Sequence, residues 1–154
     1  MATIKSLTGA GWLKDADDNF QSLKSLAGLH ITPFVFDTAV DDDAAEPASN
    51  KTVAAHPLAV TIPDNAIVIG GSIDVIEAVT SNGLATVAIH LVNANDLLTA
   101  TGKASLAIKA QLPLAAVISQ PIKLEAAKAV TVTVGTAALT AGKINGYIIW
   151  IEGE

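Results

Sequence analysis

The run Val130-Thr131-Val132-Thr133-Val134 alternates apolar and hydroxylated β-branched side chains without a break. A repeat of two is that of a strand, and a helix cannot sort these residues onto two separate faces. One face of Val and one of Thr describes a strand half in a core and half toward solvent. Residues 143–152 carry a different signal. Ile144, Tyr147, Ile148, Ile149, Trp150 and Ile151 are apolar on both sides of a strand, which predicts a central strand or one in a subunit contact.

The rest of the C-terminal two-thirds reads the same way. Residues 53–62 form a strand containing His56-Pro57 and ended by Pro63, with Pro63-Asp64-Asn65 as a turn. Residues 66–69 and 72–79 are strands split by Gly70-Gly71, the mark of a bulge or bend. Thr80-Ser81-Asn82-Gly83 reads as a hairpin turn, Asn-Gly supplying the positive φ of a type I′ turn, and 86–92 as its return strand. Residues 93–103 read as a polar loop with one helical turn at Asp96-Leu97-Leu98. Residues 104–109, 112–118 and 121–124 read as short extended segments, and Leu139-Thr140-Ala141-Gly142 as a turn. About eight short strands without crossover helices predict an all-β chain. The expected domain, residues 51–154, is an antiparallel β-sandwich of the jelly-roll kind.

Residues 1–50 read as an N-terminal arm for docking. Leu13, Ala16, Phe20, Leu23 and Ala27 recur at helical spacing, Asp15, Asp17 and Asp18 suit the positive end of a helix dipole, and Gly28 suits a C-cap. Such a short helix presents Trp12 and Phe20 either to a groove on a partner or to its own domain. His30-Ile31-Thr32-Pro33-Phe34-Val35-Phe36 is an extended segment that Pro33 confines to an edge. Residues 37–50, with Asp41-Asp42-Asp43, read as an acidic flexible loop.

Composition bears on what covers the sheets. Hydrophobic residues make up 51% of the 154 and charged ones 16%, against about 25% charged in ordinary soluble domains. Mean hydropathy is +0.48. The apolar runs are too short or too interrupted for a spanning helix, which needs roughly 20 consecutive apolar residues, so no membrane partner is expected. Apolar surface not facing lipid generally faces protein. Sister copies, as a homo-oligomer, are therefore the first expected partner. The candidate docking residues are the large aromatics Trp12, Phe20, Phe34, Phe36, Tyr147 and Trp150. Nucleic acid is not an expected partner: net charge is −6, all nine basic residues are Lys, and they are scattered. The first residues, Met1-Ala2-Thr3-Ile4-Lys5, lack an apolar signal segment, which reads as a chain kept in the cytosol of its producer.

No motif for chemistry emerges. With no Cys, thiolate metal sites, disulfides and thiol nucleophiles are excluded. His30, His56 and His90 are isolated, and Asp41-Asp42-Asp43 lacks the alternation, Gly and distal Glu of a calcium loop. Asp74 and Glu77, three apart on a strand, fall on opposite faces unless a bulge intervenes, so they do not form a glycosidase pair. Gly70-Gly71 is not a phosphate loop, and no Gly-x-Ser-x-Gly elbow is present. No catalytic residue, cofactor or metal is expected.

Taken in order, five stretches resemble small structural proteins of tailed bacteriophages, found among capsid decoration (cement) proteins and head or tail fibre components. They are Ile62-Pro63-Asp64-Asn65-Ala66-Ile67-Val68, Ser72-Ile73-Asp74-Val75, Ala85-Thr86-Val87-Ala88-Ile89, Val130-Thr131-Val132-Thr133-Val134 and Leu139-Thr140-Ala141-Gly142-Lys143-Ile144. The resemblance covers residues 58–150 and rests on turn and strand signatures. It implies a β-sandwich, often trimeric, fixed to a capsid or tail lattice by an N-terminal arm, with the major capsid protein or another virion protein as second partner. The expected role is a non-enzymatic virion protein, first a trimeric decoration protein that stabilises the assembled head, assembled in the host cytoplasm. The alternative is a fibre or baseplate component for host attachment. A small hydrolase or metal enzyme on a jelly roll is the contrasting class, disfavoured by the missing histidine cluster.

Overall fold

The computed structural model describes residues 28–39, 50–94, 96–114 and 121–153. The arm helix with Trp12 and Phe20, the Asp41-Asp42-Asp43 run and residues 115–118 lie outside the described residues. Nine strands make up the rest: β1 (Leu29–Asp37), β2 (Ala55–Ile62), β3 (Ala66–Thr80), β4 (Thr86–His90), β5 (Leu98–Gly102), β6 (Gln111–Pro113), β7 (Ile122–Lys123), β8 (Lys128–Gly135) and β9 (Ala141–Glu152). They form two antiparallel sheets. Sheet A runs β1-β9-β3-β6, with β7 also on β3, and sheet B runs β2-β8-β4-β5.

The pairs are nested: β1 with β9, β2 with β8, β3 with β6 and β4 with β5. First thus meets last and the innermost strands meet each other, as if one long hairpin had been wrapped around a barrel axis. This is the wiring of a jelly roll. It follows that most connections pass from one sheet to the other.

The alternating run behaves as its pattern requires. Val130, Val132 and Val134 of β8 are buried while Thr131 and Thr133 are half-exposed. β9 is central, between β1 and β3. β1 is an edge strand, as Pro33 demands, but it is not part of an arm. It pairs with β9 in unbroken register from Leu29↔Ile151 to Asp37↔Lys143. Phe34 and Phe36 point from it into the core shared with Val68, Ile73, Val75, Ile144 and Ile148. Among the described residues, β1 is thus the first strand of the sandwich.

Three local expectations fail, each for a visible reason. The turn after β3 is a passage between sheets rather than a hairpin, and neither Asn82 nor Gly83 has a positive φ. The Ser81 hydroxyl accepts from Gly83 N–H at 3.1 Å and donates to the Ala138 carbonyl at 2.6 Å, tying this corner to the β8–β9 connection. Gly83 is small because a Cβ there would sit 2.7 Å from that of Ala137. Leu98 starts β5 rather than ending a helical turn. Asp96 holds the tight turn before it, its carboxylate accepting from the amides of Leu91, Val92 and Asn93, each at 2.9 Å. The stretch from 104 to 109 is no strand: Lys103–Ser105 is a single 3₁₀ turn and Lys109 takes a positive φ of 67°. This loop lies along β3, with Leu106 fully buried and its carbonyl accepting from Val79 N–H.

β3 carries register shifts against β9 between Val68 and Gly70 and between Val75 and Glu77. The first matches the break expected at Gly70-Gly71. The second makes Ile76 an extra residue, so Ile76 and Glu77 are both exposed. Asp74 and Glu77 consequently share the outer face, contrary to the simple count of three.

At the far end of the β1–β9 ladder, Lys143 Nζ lies 2.9 Å from Asp37 Oδ2, and Asp37 Oδ1 accepts from Ala39 N–H at 2.8 Å. The Lys143 hydrogen bond first, then the Ala39 amide, holds the Asp37 carboxyl below its ordinary 3.8. A carboxyl depressed on folding stabilises fully above its unfolded value and loses that contribution as pH falls through the lower folded value. Asp37→Asn should therefore unfold at a lower temperature than the parent at neutral pH and converge with it in strong acid. The gap is small because the pair is near the surface. Thermal midpoints of both proteins across the acid limb check this, and parallel curves would refute it.

Candidate docking surface

The outer face of sheet A can be read row by row from the pairing. Alternation puts Phe34, Phe36, Ile144, Ile148, Trp150, Val68, Ile73 and Val75 inside. The residues between them face outward. From one end the rows are Leu29–Ile151–Ile67–Lys123, then Ile31–Ile149–Gly70, then Pro33–Tyr147–Ser72–Pro113. Next come Val35–Asn145–Asp74–Gln111 and finally Asp37–Lys143–Glu77.

The face is therefore graded. One corner is apolar: Leu29, Ile31, Ile67, Ile149 and Ile151, with Ile31 at 62% exposure and Leu29 at 42%. The middle is polar around Tyr147, and the far end is charged. Scattered single apolar residues are ordinary on a protein surface; five on adjoining positions of two rows are not. Other exposed apolar residues, such as Leu84 and Ile108, lie in connections.

The aromatic residues singled out by sequence divide. Phe34 at 2% exposure and Phe36 at 0% are core, not docking residues. Strand alternation settles this: both occupy inward positions of β1. Trp150 is also mostly buried. Its indole N–H donates to Thr32 Oγ1 at 2.9 Å, and its ring stacks on His30 at 4.1 Å between centroids. His30 Nε2 lies 3.3 Å from Glu152 Oε1, closing the same end of the ladder. Tyr147 alone of the described four faces out, at 42% exposure. The aliphatic corner has no mark in the sequence of either end alone; positions 29, 31, 149 and 151 come together only through the β1–β9 register.

The histidines are dispersed. His56 is buried, its Nε2–H donating to the Thr52 carbonyl at 3.0 Å, and His90 meets Thr133 Oγ1 at 3.0 Å. Among the described residues no three His, Asp or Glu side chains gather as metal ligands. No helix among them is long and apolar enough to cross a membrane.

No protein-family model matches the chain, and a search of the curated proteins found no match. Solved structures do match. A chain in the acid-stable capsid of Helicobacter pylori bacteriophage KHP30 aligns over 82% of this chain and 89% of its own, with a TM-score of 0.54 and 16% identity. A chain in the cyanophage Pam1 capsid asymmetric unit aligns over 80% and 84%, at TM-score 0.54 and 14% identity. A chain in the capsid of Ralstonia phage GP4 aligns over 81% and 86%, at TM-score 0.54 and 16% identity. The fold is one found in phage capsids. At such identity the likeness is one of architecture, and side-chain roles do not transfer.

Proposed function

We propose that this chain is a non-enzymatic structural protein of a tailed-phage virion, specifically a homotrimeric decoration protein bound to the assembled head. The observation that carries the reading is the two-sheet antiparallel fold, which matches chains of three phage capsids. The apolar corner of sheet A supports self-association: it borders β1, whose outer edge pairs with no strand among the described residues. We assign the corner to a sister copy, since a closed ring repeats one contact around an axis and covers the same patch on every member. Residues 1–27 lead into Leu29 at that corner and would form the docking arm, with Trp12 and Phe20 as anchors to the major capsid protein. A protein that binds only the assembled shell stabilises it by mass action, without turnover.

Light-scattering mass of the full-length protein, combined with gold labelling of virions, tests this. The expected result is a mass of three chains and label on heads. A single-chain mass at high concentration with unlabelled particles would remove the proposal. Label confined to tails would transfer the chain to the attachment apparatus. One feature favours that second reading, the polar depression beside Tyr147.

A further inference from the structure

The polar half of the sheet A face contains a depression of about 340 Å³, bordered by Ser72, Asp74, Gln111, Asn145 and Tyr147. We infer that it is a binding subsite for a neutral, hydroxyl-rich ring, a single hexose unit of a saccharide. The inference is independent of the self-association reading, because the depression and the apolar corner occupy different rows.

The size sits at the low end of small-molecule clefts, which span roughly 300–1,000 Å³. Such a space suits one ring rather than a chain of rings. Its chemistry comes from one cross-strand row: Asn145 on β9 lies opposite Asp74 on β3, which lies opposite Gln111 on β6. Side chains so paired stand about 5 Å apart on one face. Among the described residues the side chains of all three make no hydrogen bond or ion pair, whereas Ser72 spends its hydroxyl on the Leu112 carbonyl at 3.2 Å. A carboxylate that only accepts, beside two amides that both donate and accept, matches neighbouring hydroxyl groups. Tyr147, the sole tyrosine in the chain, borders this row. Its ring offers an apolar flat surface with a polar tip, suited to the C–H face of a sugar.

Other ligand classes fit less well. A cation would find one carboxylate and no cluster of three ligating side chains. An anion would meet Asp74 and no lysine on the lining. A purely apolar ligand would bury three polar groups without partners, each costing about 1–3 kcal/mol. Hydrolysis is not implied, because Glu77 lies on the next row and does not border the depression.

Saturation-transfer NMR on the full-length protein with methyl β-D-galactopyranoside, methyl α-D-mannopyranoside and N-acetyl-D-glucosamine tests the site. Transfer to the ring protons of at least one is expected. Asp74→Asn and Tyr147→Ala should each weaken that binding by about tenfold or more, as for loss of a charged hydrogen bond or a ring contact. Both side chains face outward, so thermal midpoint and oligomer mass should stay at parental values. Ile31→Lys, aimed at the apolar corner, should leave sugar binding intact. Absence of transfer to all three sugars overturns the inference. So does an oligomer that falls apart in Asp74→Asn or Tyr147→Ala, which would make the depression a subunit contact.

Discussion

Gly71→Ala should cost about 3 kcal/mol or more of unfolding free energy, the upper range for overpacking, while Gly70→Ala one residue away should cost nothing. The two glycines look equivalent in sequence and sit in the same break of β3. Their surroundings differ. A Cβ on Gly71 would run into the backbone carbonyl oxygen of Tyr147 and stand 2.7 Å from Leu114 Cδ1. The leucine methyl can turn away; the carbonyl belongs to β9, the central strand of sheet A, and cannot. The alanine therefore has to push β3 from β9, and both strands carry residues of the single core, Val68, Ile73 and Val75 on β3 and Ile144 and Ile148 on β9. A Cβ on Gly70 would meet nothing within 4 Å. There the substitution removes conformational freedom from the unfolded chain, which stabilises by about 0.4–1 kcal/mol where the backbone is compatible. Urea unfolding of both variants with unchanged slope gives the comparison. Equal midpoints would show that the Tyr147 carbonyl does not set the approach of the strands.

The same site shows how far sequence alone could reach. Gly70-Gly71 was legible as a break in a strand, and the Val-Thr alternation of β8 as a half-buried ladder, because period and backbone permissiveness are local properties. β9 was legible as central or as lying in a subunit contact, because apolar residues on both faces need cover on both sides; its place between β1 and β3 makes it central. The all-β class and the two antiparallel sheets followed. What was not legible depended on which strand lies beside which. Asn82-Gly83 is chemically a hairpin turn, yet the nested wiring sends the chain across to the other sheet, and Gly83 is small to clear Ala137. β1 looked like the end of an arm because a loop follows it; only its pairing with β9 across more than a hundred residues makes it an edge of the sandwich. The apolar corner needs that same pairing, since Leu29 and Ile31 come from one end of the chain and Ile149 and Ile151 from the other. Asp74 and Glu77 came out on one face because a bulge at Ile76 carries no sequence mark comparable to paired glycines.

On the proposed self-association through the apolar corner, Ile31→Lys should convert the protein to single chains without weakening the fold of each. Ile31 is 62% exposed in the isolated chain, so the core loses nothing when it is replaced. Its neighbours across the ladder and along the strand are Ile149 and Leu29, also outward and apolar. A sister copy covering this corner would have to enclose a lysine ammonium among aliphatic side chains. An unpaired charge so enclosed is worth about 3–5 kcal/mol against the contact, and a closed ring meets that penalty at every interface. In the proposed trimer, three such contacts would leave no assembled population at micromolar concentration. Leu84→Lys is the matched control: Leu84 is still more exposed, at 81%, but lies in the β3–β4 connection away from the corner. Light-scattering mass should fall for Ile31→Lys and hold for Leu84→Lys, while circular dichroism shows the same strand content in both. The urea midpoint of Ile31→Lys should lie below that of Leu84→Lys only by the lost association, and so be independent of protein concentration. An Ile31→Lys protein that keeps its oligomeric mass would mean that sister copies meet through some other face, and the graded surface of sheet A would then have to be explained by a different partner.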